Sequence, residues 1–380
     1  DSHTRHNDYD TALVLLERSE LEGANLLNGY PLVNYGYRFS RRLYDDIPKP
    51  VSLRHGTPDA RLLVEIALAS GITEIEGGGL TYTLPYSRTY PVMRALLHWQ
   101  YVDRICAMVA DPARPVHRES FGVLTATLVP PVMVIVIELC ELLLAAEQGV
   151  TSFSVSFAQT GSFTQDLAIS KVLREASADY LRRFGFEDVQ VYLVFHQWMG
   201  AFPRSYDNAD ALIAVAALNG AMTDADKIVV KTREESWGVP TIESNVESVR
   251  LVKYVLERFQ NKPLAIGQDV EEEARRIRAE VDSVMGAIFN FPSNSFWHSV
   301  FLAFEAGIID VPFAPHEANK NRLLTRRGAD RGIYIVDPGN VPIPKDELRL
   351  EQEVLASLAR FHEERSPFRA LMNDINLMLE

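Results

Sequence analysis

Six short β-branched runs alternate with longer helical patterns along this chain, and that alternation limits the folds open to it. Strands that alternate with helices form a parallel sheet covered by helices, so the pattern predicts an α/β protein. A doubly wound sheet and a (β/α)8 TIM barrel both fit. The number of units, and the lack of a G-x-G-x-x-G segment after any strand, favour the barrel. The six runs are Val51–Arg54, Ile72–Glu76, Val116–Phe121, Ser152–Phe157, Val189–His196 and Lys227–Thr232.

The pattern changes beyond about Pro263. Two helical segments, loops rich in Gly and Pro that run to Pro344, and a final helix replace the alternation. We therefore expect a barrel over residues 1–262 and an appended region of helices and loops over residues 263–380. The predicted helices of that region are Asp269–Val284, Val300–Ala306 and Glu347–Glu364.

The composition excludes several classes of protein. With 380 residues, 47% of them hydrophobic, the chain can bury a large core. Its formal charge of −13 and its lack of a cationic run argue against a nucleic-acid surface. Cys106 and Cys140 are the only cysteines, and no leader precedes them, so we expect a cytoplasmic protein. The apolar stretch Pro130–Ala146 contains Glu138 and Glu141 and is too short to cross a membrane, so it predicts a buried helix.

Charged and polar residues follow the predicted strands, at the end of a barrel where active sites lie. An arginine there suits a dicarboxylate, because the guanidinium makes two parallel hydrogen bonds to a carboxylate and stays charged. Arg54 and Arg5 are the candidates; the alternative is that either arginine only pairs with a nearby Asp or Glu, such as Asp59 or Asp8. The strand ends are Arg54-His55-Gly56, Glu76-Gly77-Gly78-Gly79, Arg118-Glu119, His196-Gln197-Trp198 and Lys231-Thr232.

Glu76 precedes three glycines, which permit close approach of a ligand, and Tyr82 and Tyr86 follow. These side chains can surround a small ammonium group, and a buried Glu76 can act as a general base. The alternative is a structural Glu76 that accepts hydrogen bonds from amides of the glycine turn. Lys231 and Glu235 can bind a nucleoside, although such a pair is also an ordinary helical salt bridge.

The order and spacing of several segments resemble the epsilon subunits of glutamate mutase, also called methylaspartate mutase. The similarity runs from Asp1 to about the final helix. It implies a (β/α)8 barrel that binds adenosylcobalamin together with a small cobalamin-binding sigma subunit, in a heterotetramer of two large and two small chains. The implied enzyme is an isomerase that interconverts L-glutamate and 3-methylaspartate by a radical rearrangement. The segments are Arg54-His55-Gly56-Thr57-Pro58-Asp59-Ala60-Arg61, Glu76-Gly77-Gly78-Gly79, Phe195-His196-Gln197-Trp198-Met199-Gly200 and Val229-Val230-Lys231-Thr232.

The resemblance also implies roles for particular residues. Arg5 and Arg54 would bind the substrate carboxylates, with His55 beside Arg54. Glu76 would hold the amino group and act as the base, and the two tyrosines at positions 82 and 86 would help to hold that group. The cobalt-ligating signature D-x-H-x-x-G is absent, so no metal ligand is expected in this chain and the cobalt would be ligated by the sigma subunit. The positions that match adenosylcobalamin contacts are Asn28, Pro85, Phe202, Lys231, Glu235 and Val239, with Lys231 and Glu235 at the adenosyl group.

Three departures from the family pattern stand out. The family has an upstream segment with the first strand, a third carboxylate-binding arginine and most of the second strand, whereas this sequence starts at the end of that second strand. A barrel without those strands has unpaired edges, so we expect a fragment of a longer protein. Residues Ala314–Gly332 and the pair Arg233-Glu234 also diverge.

Three other functions remain open at the level of sequence. A lyase or aldolase would use Glu76 as its base and Lys231 to form a Schiff base. A catalytically silent homologue would act as a scaffold for the cobalamin subunit. A biosynthetic mutase would supply 3-methylaspartate as a building block.

Overall fold

The computed structural model describes residues 2–111, 114–122, 128–259, 267–359 and 366–379. In these residues a curled sheet holds six parallel strands, each hydrogen-bonded to the next in the chain. Each of the six predicted runs overlaps one of them, so the strand predictions are confirmed, with β4 ending one residue beyond its predicted run. The strands are β1 (Ser52–Leu53), β2 (Glu74–Glu76), β3 (His117–Glu119), β4 (Ser152–Ala158), β5 (Gln190–His196) and β6 (Lys227–Val229).

Helices follow the strands and pack on the outside of the sheet. A 3₁₀ turn, Arg233–Ser236, follows β6. The helices before β3 are α1 (Ser2–Arg5), α2 (Tyr9–Glu22), α3 (Leu32–Asp45), α4 (Arg61–Ala69) and α5 (Val92–Val109). Those after it are α6 (Pro131–Glu147), α7 (Phe163–Phe184), α8 (Tyr206–Met222), α9 (Ile242–Phe259), α10 (Gln268–Phe289), α11 (Phe296–Ala306), α12 (Lys345–Ala359) and α13 (Pro367–Ile375).

The expectation of a (β/α)8 barrel fold, without the upstream strands that the family has, is met only in part. The described residues form a six-stranded parallel portion of such a fold, with strands in chain order, rather than eight strands. In the described residues β1 and β6 are not paired with each other, so the six-stranded sheet is not closed into a barrel. Residues 260–266, which follow α9, lie outside the described part of the chain, and so does the predicted domain boundary at 262/263.

Helix α6 is the buried helix predicted over Pro130–Ala146, and it lies at the centre of the largest apolar core. Pro130 is its N-cap and Pro131 its first residue, and proline is favourable at the first position of a helix. Its apolar side chains pack against β4 and α7, and α10 packs against both helices. Glu138 and Glu141 are also buried on α6, so each must find hydrogen-bond partners inside the protein.

The region after residue 267 contains the predicted helices as α10, α11 and α12, although the end of the predicted helix Glu347–Glu364 lies outside the described residues. The prediction of loops up to Pro344 is wrong for two segments. Leu324–Arg327 and Ile333–Asp337 form an antiparallel hairpin, β7 and β8. No helix in the described ranges has the length and apolarity needed to span a membrane.

Candidate active site

The carboxyl ends of β1, β2 and β3 bring Arg54, Glu76 and Glu119 together. The parallel register places Glu76 beside Glu119, and Arg54 directly follows β1. The guanidinium donates from Nη1 to Glu76 and from Nη2 to Glu119. Both carboxylates are buried, whereas a third of the Arg54 side chain is exposed. Arg54 therefore does pair with nearby carboxylates, as the alternative expects, but these belong to Glu76 and Glu119. Asp59 instead accepts two hydrogen bonds from Arg61 at 2.8 and 2.9 Å.

Glu76 has an unusual electrostatic environment. Burial raises the pKa of its carboxyl to about 7, Arg54 lowers that pKa, and the negative charge of Glu119 raises it. The Tyr82 hydroxyl donates a hydrogen bond to the other oxygen of Glu76, which lowers the same pKa. The proton of Glu76 is therefore exchangeable near neutral pH, as a general base requires.

An aromatic wall joins the remaining substrate candidates to Glu76. The rings of Tyr82 and Tyr86 are 5.6 Å apart, and the guanidinium of Arg5 lies 4.7 Å from the centre of the Tyr86 ring. Thr57 donates to the carbonyl of Arg5 at 2.7 Å, which fixes this arginine next to the end of β1. The buried Nε of Arg5 has no hydrogen-bond partner among the described residues. Asp8, the alternative partner, instead accepts a hydrogen bond from the Thr11 amide at the start of α2.

His55 completes this group as a neutral ring. Its ring centre lies 4.8 Å from that of Tyr82. Burial lowers the pKa of His55 to about 3, and the charge of Arg118 adds to the effect. The Thr57 amide donates to Nδ1 at 3.0 Å, so the proton of the neutral ring belongs on Nε2. All six residues predicted for the substrate, from Arg5 to Tyr86, thus lie in one connected set of contacts.

Two charged residues without a predicted role, Lys227 and Glu74, extend the site. Lys227 of β6 donates to Glu119 at 2.8 Å and also to Glu74 of β2. Ion pairs therefore run without a break from Glu74 through Lys227, Glu119 and Arg54 to Glu76. The period of two between Glu74 and Glu76 is the sequence signal for side chains on one face of a strand.

His196, at the end of β5, faces the two buried carboxylates. Ligand atoms of Glu76, Glu119 and His196 lie within 4.8 Å of one another, a spacing that suits a divalent cation. Arg54 donates to both carboxylates, so its guanidinium provides the cation of this cluster. Burial lowers the pKa of His196 well below its usual value, and neither ring nitrogen has a partner among the described residues.

The glycine turn, residues 77–81, is held by a carboxylate other than Glu76. Glu141 of α6 accepts hydrogen bonds from the amides of Gly79, Leu80 and Thr81 at 3.2, 2.7 and 3.1 Å. The alternative role considered for Glu76, a structural cap of this turn, thus belongs to Glu141. Glu76 remains free to face the substrate candidates.

Most of the cofactor candidates follow β5 and β6. Lys231 donates to Glu235 at 3.1 Å, and both side chains are partly exposed. Phe202 is buried beside Trp198, and its carbonyl accepts a hydrogen bond from Ser236, which joins the two segments. The remaining candidates are Val239, which is strongly exposed, Pro85, which precedes Tyr86, and Asn28, which lies between α2 and α3.

Comparison with known proteins gives a consistent result. Residues 1–380 match the family model described as "Methylaspartate mutase E chain". The glutamate mutase epsilon subunit of Escherichia coli O157:H7 is 39% identical over 376 residues, which cover 99% of this chain and 78% of that protein. The epsilon subunits of Treponema denticola and Haloarcula marismortui are 37% and 36% identical over 99% of this chain, with 77% and 76% of those proteins covered. The family match therefore spans every candidate residue described above.

Proposed function

Because the chain belongs to the family of methylaspartate mutase E chains, we propose that it is the large catalytic subunit of glutamate mutase. This enzyme is an isomerase that interconverts L-glutamate and 3-methylaspartate. The ion pair between Arg54 and the buried, tunable Glu76, at the carboxyl end of a parallel sheet, is the observation that carries the proposal. The positive charge of Arg54 suits a carboxylate of an amino acid, and the negative charge of Glu76 suits its ammonium group.

Substrate binding is then an exchange of ion pairs. A substrate carboxylate takes the hydrogen bonds that Arg54 now gives to Glu76 or Glu119, and the substrate ammonium takes the place of Arg54 at Glu76. The second carboxylate binds Arg5, whose Nε is buried without a hydrogen-bond partner in the described part of the chain. Guanidinium groups suit this role because they bind carboxylates through two parallel hydrogen bonds.

Glu76 controls the protonation state of the amino group. With a pKa raised to about 7 by burial, its carboxylate can accept a proton from the substrate ammonium near neutral pH. Tyr82 orients the carboxylate through its hydrogen bond, and Tyr86 places an aromatic face beside Arg5. The buried aromatic wall keeps water from the reacting carbons, as radical chemistry requires.

Lys231 and Glu235 suit the adenosyl group of adenosylcobalamin. Both side chains are only partly buried, so the carboxylate can accept from ribose hydroxyls and the ammonium can donate to a ring nitrogen. The cofactor, when bound, supplies the organic radical that removes a hydrogen atom from the substrate. Phe202, Val239, Pro85 and Asn28 complete the proposed contacts. We assign the cobalt ligand to a small sigma subunit, in a heterotetramer of two large and two small chains.

The test uses the natural full-length chain, a glutamate mutase sigma subunit and adenosylcobalamin. We expect a paramagnetic signal that depends on L-glutamate, and 3-methylaspartate as the product. Glu76→Gln should abolish most of the turnover, whereas Glu17→Gln, an exposed carboxylate on α2, should leave it unchanged. A correctly assembled complex that gives no signal with L-glutamate would refute the substrate assignment. Trapping of a substrate on Lys231 by borohydride would favour the aldolase instead.

A further inference from the structure

The glycine turn connects Glu76 to Tyr82, so its shape decides where the Tyr82 hydroxyl meets the Glu76 carboxylate. Gly77 has a φ of +122°, a conformation that other residues rarely adopt. A Cβ on Gly77 would lie about 2.5 Å from the rings of Trp99 and Tyr82. A Cβ on Gly78 would collide with the carboxylate of Glu141. The turn is therefore tightly packed against side chains from two helices, α5 and α6.

The carboxylate of Glu141 accepts hydrogen bonds from the backbone amides of this turn. The chain after the turn coils like the start of a helix. The backbone amide of Tyr82 donates to the Gly78 carbonyl at 3.1 Å, and the amide of Leu84 donates to the Leu80 carbonyl at 3.0 Å. The first amides of such a coil have no partners within it. Oε1 of Glu141 accepts from Leu80 and Thr81, and Oε2 accepts from Gly79.

Arg118 binds the backbone carbonyls of the residues on either side of Glu76. Its Nη1 donates to the Ile75 carbonyl at 2.5 Å, and its Nη2 donates to the Gly77 carbonyl at 2.8 Å. The charge is balanced by Asp103, which accepts from Nε at 2.7 Å. Two buried ions of opposite sign thus hold the backbone on both sides of Glu76.

Building on the proposed mutase activity, we infer that Glu141 is a positioning residue for the reaction. Its carboxylate fixes the glycine turn so that Tyr82 and Glu76 meet at the place where the substrate ammonium binds. A buried carboxylate is expensive to desolvate, and it persists only where hydrogen bonds compensate. Here all three of its hydrogen bonds go to the amides of one turn.

Glu141→Gln is the discriminating variant. The amide keeps the shape of the side chain and one acceptor oxygen, but its NH₂ group faces a backbone amide that is also a donor. The turn must move to relieve this conflict. A displacement of about 1 Å in catalytic geometry costs about 10²-fold in rate, so we expect kcat/KM for L-glutamate to fall by roughly that factor.

Glu138→Gln is the matched control, because Glu138 lies one turn earlier on α6 and is equally buried. It accepts from Ser120 at 2.9 Å and from the Ser156 amide at 2.6 Å, away from the glycine turn. A purely structural role for Glu141 predicts that both variants lower the melting temperature alike and leave the kinetics unchanged.

The pH profile separates positioning from stability. Loss of the Tyr82 hydrogen bond raises the pKa of Glu76, so the acid limb of kcat/KM should move to higher pH in Glu141→Gln. If Glu141 acts through Tyr82, the same substitution should add no further shift in a Tyr82→Phe background. An equal shift in both backgrounds, or no shift in either, would overturn the inference.

The kinetic measurements use the full-length chain assembled with the sigma subunit and adenosylcobalamin. Titration calorimetry of L-glutamate into the cofactor-free protein gives a second measurement, and weaker binding is expected only in Glu141→Gln. Gly78→Ala, which pushes the turn away from Glu141, should reproduce the kinetic defect if Glu141→Gln fails to fold. Failure of the proposed function would appear as an inactive wild type. Failure of this inference would appear as an active wild type with kinetically normal Glu141→Gln and Gly78→Ala.

Discussion

Arg118→Met should be among the most destabilising single substitutions in this protein. Arg118 is 1% exposed and donates three hydrogen bonds to buried acceptors, which are Asp103 and the carbonyls of Ile75 and Gly77. Its guanidinium also lies 4.7 Å from the centre of the Trp99 ring. Methionine retains much of the volume but none of the hydrogen bonds, so the substitution isolates the electrostatic part of the interaction.

The magnitude follows from what is left behind. Asp103 remains buried without its cation, and removing one partner of a buried ion pair costs about 3–5 kcal/mol. Two buried carbonyls also lose a partner, at about 1–3 kcal/mol each. We therefore expect a loss of at least about 5 kcal/mol in the free energy of unfolding, a large share of the total of about 5–15 kcal/mol.

Urea unfolding followed by circular dichroism measures this loss. Addition of Asp103→Asn should restore about 2–3 kcal/mol, because it removes the unpaired buried charge. Burial already raises the pKa of Asp103, and loss of Arg118 raises it further. A carboxyl whose pKa is raised in the folded state favours folding at low pH, so the loss should be smaller at about pH 5 than at about pH 8. A loss below about 1 kcal/mol, or a further loss on adding Asp103→Asn, would refute the reasoning.

Three predictions concern the pH dependence and rate of the proposed reaction. Tyr82→Phe should move the acid limb of kcat/KM to higher pH, since the Tyr82 hydrogen bond lowers the pKa of Glu76; an unchanged limb in initial-rate measurements would contradict this. Glu119→Gln should move the same limb to lower pH, because the charge of Glu119 raises that pKa; a shift to higher pH would show that Arg54 has reoriented instead. Glu76→Gln should lower kcat by about 10²–10⁴-fold, the usual contribution of a positioned acid–base group, and assays of 3-methylaspartate formation that give wild-type rates would remove Glu76 from the mechanism.

The strands were predictable because β-branched residues bordered by turn residues are a local signal. Strand lengths and closure of the sheet depend on tilt and register between strands, which no single segment encodes. The hairpin of β7 and β8 was missed for the opposite reason. Its strands are short, and the glycines at 328 and 332 between them dominate the local pattern as turn signals.

The candidate substrate residues were found through strand ends and a family resemblance, and the structure places them in contact. Their roles remain predictions. Lys227 and Glu119 were not assigned roles because an interior charge in a strand is meaningful only when its partner on another strand is known. Glu141 carried a faint signal, as a carboxylate within the apolar stretch of α6. Its target, a turn 60 residues earlier in the chain, could not be read from that stretch.

The order of the sheet has a consequence for folding during synthesis. Each strand from β1 to β5 pairs with the strand that follows it in the chain, so every new pairing closes only one strand–helix unit. The entropy lost in closing such a loop rises slowly with loop length and stays modest when the units are short. The sheet can therefore grow strand by strand as the chain leaves the ribosome.

The ion pairs of Lys227 with Glu74 and Glu119 are different, because they join β6 to β2 and β3 and must wait until the sheet has curled. The sheet should therefore form before the ion pairs inside it. A substitution of Lys227 should slow the last step of folding rather than the first.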